Sequence, residues 1–215
     1  MNLELARSNM IEQQIRTWDV FDQRILDVMR EVPREDFVPA RHRKLAFSDL
    51  RIPLGHHQVM MKPIEQGRML QALSLAEHER VLEVGTGFGY ITACLARLAG
   101  SVLSIEIVDS LARQARTNLE PIKNIELKSG DILKADFSAG EFDAIVVTAS
   151  VPSLPDNFLG WLRPGGRLFI VRGQSPAMEA LAVTRTDSGE LLEERLFETD
   201  LPRLIGTEDP PEFRF

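Results

Sequence analysis

The residues of this 215-residue chain most able to do chemistry fall in two places: the run "GHHQVMMKP", Gly55 to Pro63, and the glycine-rich turn "LEVGTGFGY", Leu82 to Tyr90. Gly85, Gly87 and Gly89 are spaced G-x-G-x-G directly after the apolar run "RVLEV", with Thr86 and Tyr90 among them. Glycines at a strand-to-helix turn let a ligand touch backbone at the positive end of the helix. The dinucleotide fingerprint spaces its glycines as G-x-G-x-x-G instead, and Tyr90, the only tyrosine, lies inside this turn rather than in a Tyr-x3-Lys pair. Glu106, with Ile107 beside it, ends the run "SVLSIE", where a carboxylate accepts both hydroxyl protons of a ribose. Asp131 in "SGDIL" is placed to accept from an adenine amino group, and Ile132 offers a backbone amide and an apolar wall. Glu83, before the first glycine, either orders the turn or attracts a cationic ligand. Carboxylates at these ends, with no lysine among them, oppose a phosphate-rich cofactor and suit a cationic one.

The elements that must position these residues follow from periodicity. Ile11 and Ile15, then Ile25, Leu26, Met29 and Val32, recur at helical steps and predict two helices around a turn near Trp18 and Asp19. "VPREDFVP" ends that section, and the chain from about Leu45 to Lys62 reads as irregular with short extended pieces. After Pro63 comes a helix over "IEQGRMLQALSL". Strands then alternate with helices through "RVLEVG", "YITACLARLA", "SVLSIEI", "SLARQARTNLE", "IELKSGD", "FDAIVVTAS", "NFLGWLR" and "GRLFIVRG". Continuous β-branched strands between helices indicate an α/β fold with a doubly wound, mostly parallel sheet and an N-terminal helical extension. "LAVTRT", "ELLEERLFETD" and "LPRLIG" are expected to add antiparallel strands at one edge.

The length suits one domain over residues 1–215, with N-terminal helices and a pocket loop over 1–62 and an α/β core over 63–215. A formal charge of −7 gives no global positive field, so nucleic acid is not an expected partner, and "PARHRK" reads as a solvated helix face. No apolar run approaches the roughly 20 residues of a membrane helix, and no secretory segment follows Met1. With Cys94 the single cysteine, unable to form an internal disulfide, a reducing cytoplasmic location is expected. Cys94 lies among apolar neighbours at helical spacing and reads as a buried, inert thiol.

The glycine triplet with its strand-end carboxylates resembles the class I S-adenosylmethionine-dependent methyltransferases, whose ligand carries a sulfonium and an ammonium and no phosphate. The chain as a whole resembles the protein-L-isoaspartate O-methyltransferases, which methylate the carboxylate left when Asn or Asp residues isomerise. "VPREDFVP", "PLGHHQ", "LEVGTGFGYITACLA" and "VTASVPSLP" carry that resemblance in order, and "LPRLIG" is loosely similar to the family's C-terminal strand. It implies a Rossmann-like seven-stranded sheet, S-adenosyl-L-methionine as cofactor with S-adenosyl-L-homocysteine as product, and an isoaspartyl peptide or protein as substrate.

One departure stands out. Where the family continues with Thr-Ile-Ser, implied to bind the substrate carboxylate, this chain has Val59, Met60 and Met61, and the family glycine before Gln58 is His57. Methyl transfer to an ionised carboxylate is mainly a matter of positioning, so activity survives this loss weakened, or shifts to another acceptor such as a small aromatic or phenolic molecule. A module that binds the cofactor without turnover is a further alternative. Adjacent histidines in a loop, with no cysteine nearby and no His-x3-His spacing, do not make a metal site. His56 and His57 are expected either to be satisfied by backbone or to line a substrate pocket with Gln58, Met60 and Met61, the two methionines reading first as ordinary packing. His57 there is a candidate base, and Thr148, closing "AIVVT", is the hydroxyl best placed to face the methyl unless it caps the strand end.

Overall fold

A computed structural model describes residues 2–207; residue 1 and residues 208–215 of the expected 1–215 span lie outside the described residues. Helix α1 (Leu3–Asn9) runs on through a widened turn at Met10–Ile15 and a tight turn at Arg16–Trp18. Asp19, left-handed at φ 61°, stops it. Helix α2 (Gln23–Glu31) starts at Asp22, whose side chain accepts the Arg24 amide at 2.8 Å. Ile11, Ile15, Ile25, Leu26 and Met29 are all buried, as their spacing predicts.

Strands β1 (Ile52–Gly55) and β2 (Gln58–Met60) form a hairpin in the region expected to be irregular. Helix α3 (Pro63–Leu73) follows with Pro63 in its first turn, where a missing N–H costs nothing. The α/β core is β3 (Arg80–Val84), α4 (Tyr90–Leu98), β4 (Ser101–Glu106), α5 (Asp109–Leu119), β5 (Ile125–Ser129), β6 (Phe142–Val151), α6 (Asp156–Trp161) and β7 (Leu162–Gln174). Then come β8 (Ala177–Arg185) and β9 (Leu191–Thr199). The seven-stranded sheet has the order β5-β4-β3-β6-β7-β8-β9; its first five strands are parallel, β8 pairs antiparallel with β7, and β9 pairs antiparallel with β8.

Alternating side chains divide two cores. Val81, Val102, Ala144, Val146, Phe169 and Val171 pack beneath α4 and the N-terminal helices. Leu82, Leu103, Ile145, Val147, Leu168 and Ile170 pack on the other face with Phe158 and Trp161 of α6. This is the burial on both faces that a parallel sheet requires. From β3 the chain winds outward through β4 to β5, then returns to β6 on the other side of β3. Such a reversal leaves a crevice outside the carboxyl ends of the central strands.

The "LPRLIG" segment is corrected by the structure: it is not an edge strand. Strand β6 shifts register against β7 between Val146 and Ser150; Ser150 lies opposite Val171, and its own N–H and C=O point to the other side, where they need a partner. The C-terminal segment supplies one: the Ser150 amide donates to the Pro202 carbonyl at 2.9 Å, and the Leu204 amide donates to the Ser150 carbonyl at 2.8 Å. Pro202 has no N–H to extend a ladder, so only the single parallel bridge Ser150–Arg203 forms.

Candidate functional site

At the carboxyl ends of β3, β4, β5 and β6 lies a cleft of about 580 Å³, open to solvent. Its floor is Gly85 and Gly87, one side carries Glu106 and Ile107, another Asp131 and Ile132, and Thr148 with Arg203 to Ile205 closes it. Glu106 is 4% exposed, and its two oxygens accept from the Gly87 amide at 2.8 Å and the Val108 amide at 2.9 Å. Burial raises its pKa despite these bonds, which act in the opposite direction. Each oxygen keeps a lone pair for a ligand hydroxyl. Asp131 caps the short turn after β5 by accepting the Leu133 amide at 3.0 Å, and Ile132 beside it is buried. Ile107, 37% exposed at the cleft, is a bare apolar surface suited to a flat ring.

The glycine turn is fitted to its surroundings atom by atom. Gly85 has φ +92°, and a Cβ there would meet Thr148 Oγ1 at 2.4 Å. That hydroxyl donates to the Gly85 carbonyl at 2.7 Å, so Thr148 pins the turn while lining the cleft. Gly89 is corrected: it caps the start of α4 against Leu119 and lines neither cavity of the site. Glu83 is corrected likewise. It is fully buried below the cleft, where one oxygen accepts from Thr92 and Ser104, both at 2.6 Å, and Ser104 also bonds Thr86 at 2.6 Å. It orders the turn and is not placed to meet a cation, and burial pushes its pKa up to about 7. Burial also pushes the Cys94 thiol up to about 12, in keeping with an inert side chain.

A second cavity of about 350 Å³, also open to solvent, adjoins the first, sharing Leu54, Val59, Gly85, Gly87 and Thr148 with it. Phe37, Met60, Met61, Phe88 and Ile91 give it apolar walls, and Gln66, Thr86 and Tyr90 supply polar groups. Thr86 and Tyr90, expected at the cofactor, therefore lie on this side of the glycine turn. Met60 and Met61 belong to the core and also form walls of this cavity, whereas Gln58 lines the first cleft rather than the second.

The histidines are the clearest correction. His56 and His57 form the two-residue turn of the β1–β2 hairpin, both with positive φ (53° and 59°), and both side chains are exposed and line neither cavity. A two-residue hairpin of this twist needs positive φ at both positions, which turns the side chains out from the sheet. His56 Nε2 contacts Ser110 Oγ at 2.8 Å, docking the turn on α5. Among the described residues no group of His, Cys, Asp and Glu could hold a metal ion, and no helix is long and apolar enough to cross a membrane.

Sequence reading missed Leu54, Phe37, Gln66 and the Arg203–Ile205 wall. It also missed Arg34, whose fully buried guanidinium donates to the carbonyls of Ala46 (2.7 Å) and Met61 (2.8 Å) and to Gln66 Oε1. A charged residue inside the apolar-flanked "VPREDFVP" was the available signal.

Fold and site together define a Rossmann-like domain of the class I methyltransferase type. Residues 5–201 match the family described as protein-L-isoaspartate(D-aspartate) O-methyltransferase (PCMT), and the chain belongs to that family. It is 39% identical to protein-L-isoaspartate O-methyltransferase 1 of Rhodopseudomonas palustris (strain HaA2) over 94% of this chain and 84% of that one. It is 38% identical to the protein-L-isoaspartate O-methyltransferase of Koribacter versatilis over 95% and 92%. A solved structure from Plasmodium falciparum, described as a beta-aspartate methyltransferase in complex with S-adenosyl-L-homocysteine, shares the fold. It superposes with a TM-score of 0.79 at 20% identity, covering 95% of this chain and 98% of that one.

Proposed function

We propose that this chain is an S-adenosylmethionine-dependent O-methyltransferase that esterifies the isoaspartyl carboxylate of damaged peptides and proteins. The observation that carries this reading is a carboxylate-walled cleft that shares Gly85, Gly87 and Thr148 with an adjoining apolar cavity. Family membership and the names of its relatives agree with it.

The first cleft fits S-adenosylmethionine. Glu106 is assigned the ribose hydroxyls, Asp131 the adenine amino group, Ile107 and Ile132 the ring faces, and Gly85 and Gly87 the close backbone approach. When bound, the cofactor supplies a methyl group on a positively charged sulfur. Held there, it would supply that methyl to a carboxylate oxygen in the second cavity, the sulfur keeping the bonding pair as a neutral thioether and the carboxylate becoming a neutral ester. Charge is lost on the way to the transition state, and the apolar walls Val59, Met60 and Met61 keep water from opposing that loss.

The wall also bears on which acceptor is used. A phenol must lose a proton to a base, whereas a carboxylate is already ionised. Among the described residues lining the second cavity there is no His, Asp, Glu or Lys, which favours the carboxylate. The single thiol, buried and inert, is compatible with a cytoplasmic setting.

The test is incubation of an isoaspartyl peptide with methyl-labelled S-adenosylmethionine. A base-labile methyl ester is expected on that peptide and none on the matching aspartyl peptide. Tight S-adenosylhomocysteine binding with no label above a heat-killed control would turn the reading toward a non-catalytic binding module.

A further inference from the structure

The second cavity lacks the family's two hydroxyls, yet its polar groups are organised around a charge. Arg34 is buried completely, and burial lowers its pKa, but an arginine stays protonated at neutral pH. Among the described residues it has no carboxylate in ion-pair contact. Glu65, whose charge reaches it, is itself held by Arg51 at 2.6 Å and Thr199 at 2.6 Å. A buried cation without a counter-ion is costly unless an anion completes it.

Gln66 connects that charge to the cavity. A guanidinium only donates, so the Gln66 amide must turn its Oε1 toward Arg34 and leave both Nε2 protons for another partner. Gln66 is 2% exposed, lines the cavity, and its Nε2 makes no hydrogen bond within the described residues. Polarisation by the guanidinium strengthens the free donor. On the same wall, the Tyr90 ring lies 4.9 Å from the Arg34 guanidinium carbon. Arg34 also holds the Met61 carbonyl, fixing the loop that forms the opposite wall.

We infer that Gln66, polarised and oriented by the buried Arg34, is the group that receives the acceptor's carboxylate in this protein, in place of the hydroxyls absent at Val59 and Met61. This rests on the reading that the acceptor is a carboxylate. Gln66 binds the substrate anion directly; Arg34 is a positioning residue. The bond is strongest to the full negative charge of the ground state, so its loss raises KM without lowering kcat.

The experiment uses full-length protein loaded with S-adenosylhomocysteine, titrated by calorimetry with an isoaspartyl peptide and with the same peptide bearing a carboxamide in place of that carboxylate. Wild type is expected to prefer the carboxylate at least about tenfold, the scale of a charge-assisted hydrogen bond. Gln66→Glu, which gives Arg34 an internal partner and faces the substrate with like charge, should abolish or invert the preference. Gln66→Met should cut it to about threefold or less and raise KM with kcat intact. Unchanged S-adenosylhomocysteine affinity certifies each variant as folded, and Gln66→Met serves if Gln66→Glu does not fold. No preference in wild type, or a preference that either folded variant retains, overturns the inference. A wild-type preference that the variants lose, with no methyl label on the peptide, supports the anion site and instead overturns the proposed activity.

Discussion

His57 occupies a turn position that ordinarily belongs to glycine, and replacing it separates a structural role from a chemical one. At φ 59° an L side chain pays the left-handed crowding of Cβ against the carbonyl oxygen, about 1–2 kcal/mol. His57→Gly removes that strain but frees the unfolded chain, which takes back about 0.4–1 kcal/mol. The side chain is exposed and makes no hydrogen bond within the described residues, so nothing else is lost. The net gain is about 0.5–1 kcal/mol, a rise in melting temperature of roughly 1–4 °C for a chain of this size. Methyl transfer to an isoaspartyl peptide should stay within about twofold, because the imidazole lines neither cavity. Differential scanning calorimetry and the labelled-methyl assay read the two outcomes. A melting temperature that is unchanged or lower refutes the strain argument. A tenfold loss of kcat with the fold intact refutes the placement of His57 outside the chemistry.

Glu106→Ala should weaken S-adenosylhomocysteine by about a hundredfold in calorimetry, as two ribose hydroxyls lose a charged acceptor at about 1.5–3 kcal/mol each, partly recovered by water. Because burial raises the Glu106 pKa and the ribose bonds need its ionised form, wild-type affinity should fall on acidification at a higher pH than an exposed carboxylate would give, and not so in Glu106→Gln. Gly85→Ala should destabilise by more than about 2 kcal/mol, since its Cβ would meet Thr148 Oγ1 at 2.4 Å at φ +92°. Adding Thr148→Ala should recover at least about 1 kcal/mol relative to the sum of the single changes, and strict additivity would show that the two do not collide. Glu83 has a folded pKa of about 7, above its ordinary carboxylate value. The folded state therefore binds more protons between about 4.5 and 7, and the Glu83 contribution to stability is full at the low end and lost as pH rises through that window. Chemical denaturation of Glu83→Gln should show this slope removed and stability gained at pH 8; an identical pH profile would mean that the carboxyl is already ionised in the fold.

What the sequence made legible follows one physical rule: features with a period or a fixed place along a strand could be read, and features made by long-range contact could not. Glu106 and Asp131 follow β-branched runs, and a doubly wound sheet carries the residues there to one rim. Glu83 precedes the same turn in sequence, yet the alternation of β3 sends its side chain inward to Thr92 and Ser104. His56 and His57 read as pocket residues because they stand beside Gln58, while the two-residue hairpin rotates both outward. "LPRLIG" has strand-like composition, yet it makes only the single bridge beside Ser150 of β6 and so becomes a wall of the cleft rather than an edge strand. Gln66 and Arg34 were invisible for a related reason. Each is a polar residue on a buried face, Gln66 beside Gly67, where a Cβ would lie 2.9 Å from Ile15 Cγ2 and where α3 therefore presses closely on the N-terminal helix. Tight packing of this kind leaves a polar side chain little contact with water, so its hydrogen bonds are made mainly inside the protein or with what enters the cavity. The half-used amide of Gln66 is the place where that requirement stays open, and it faces the cavity in which an acceptor must lie.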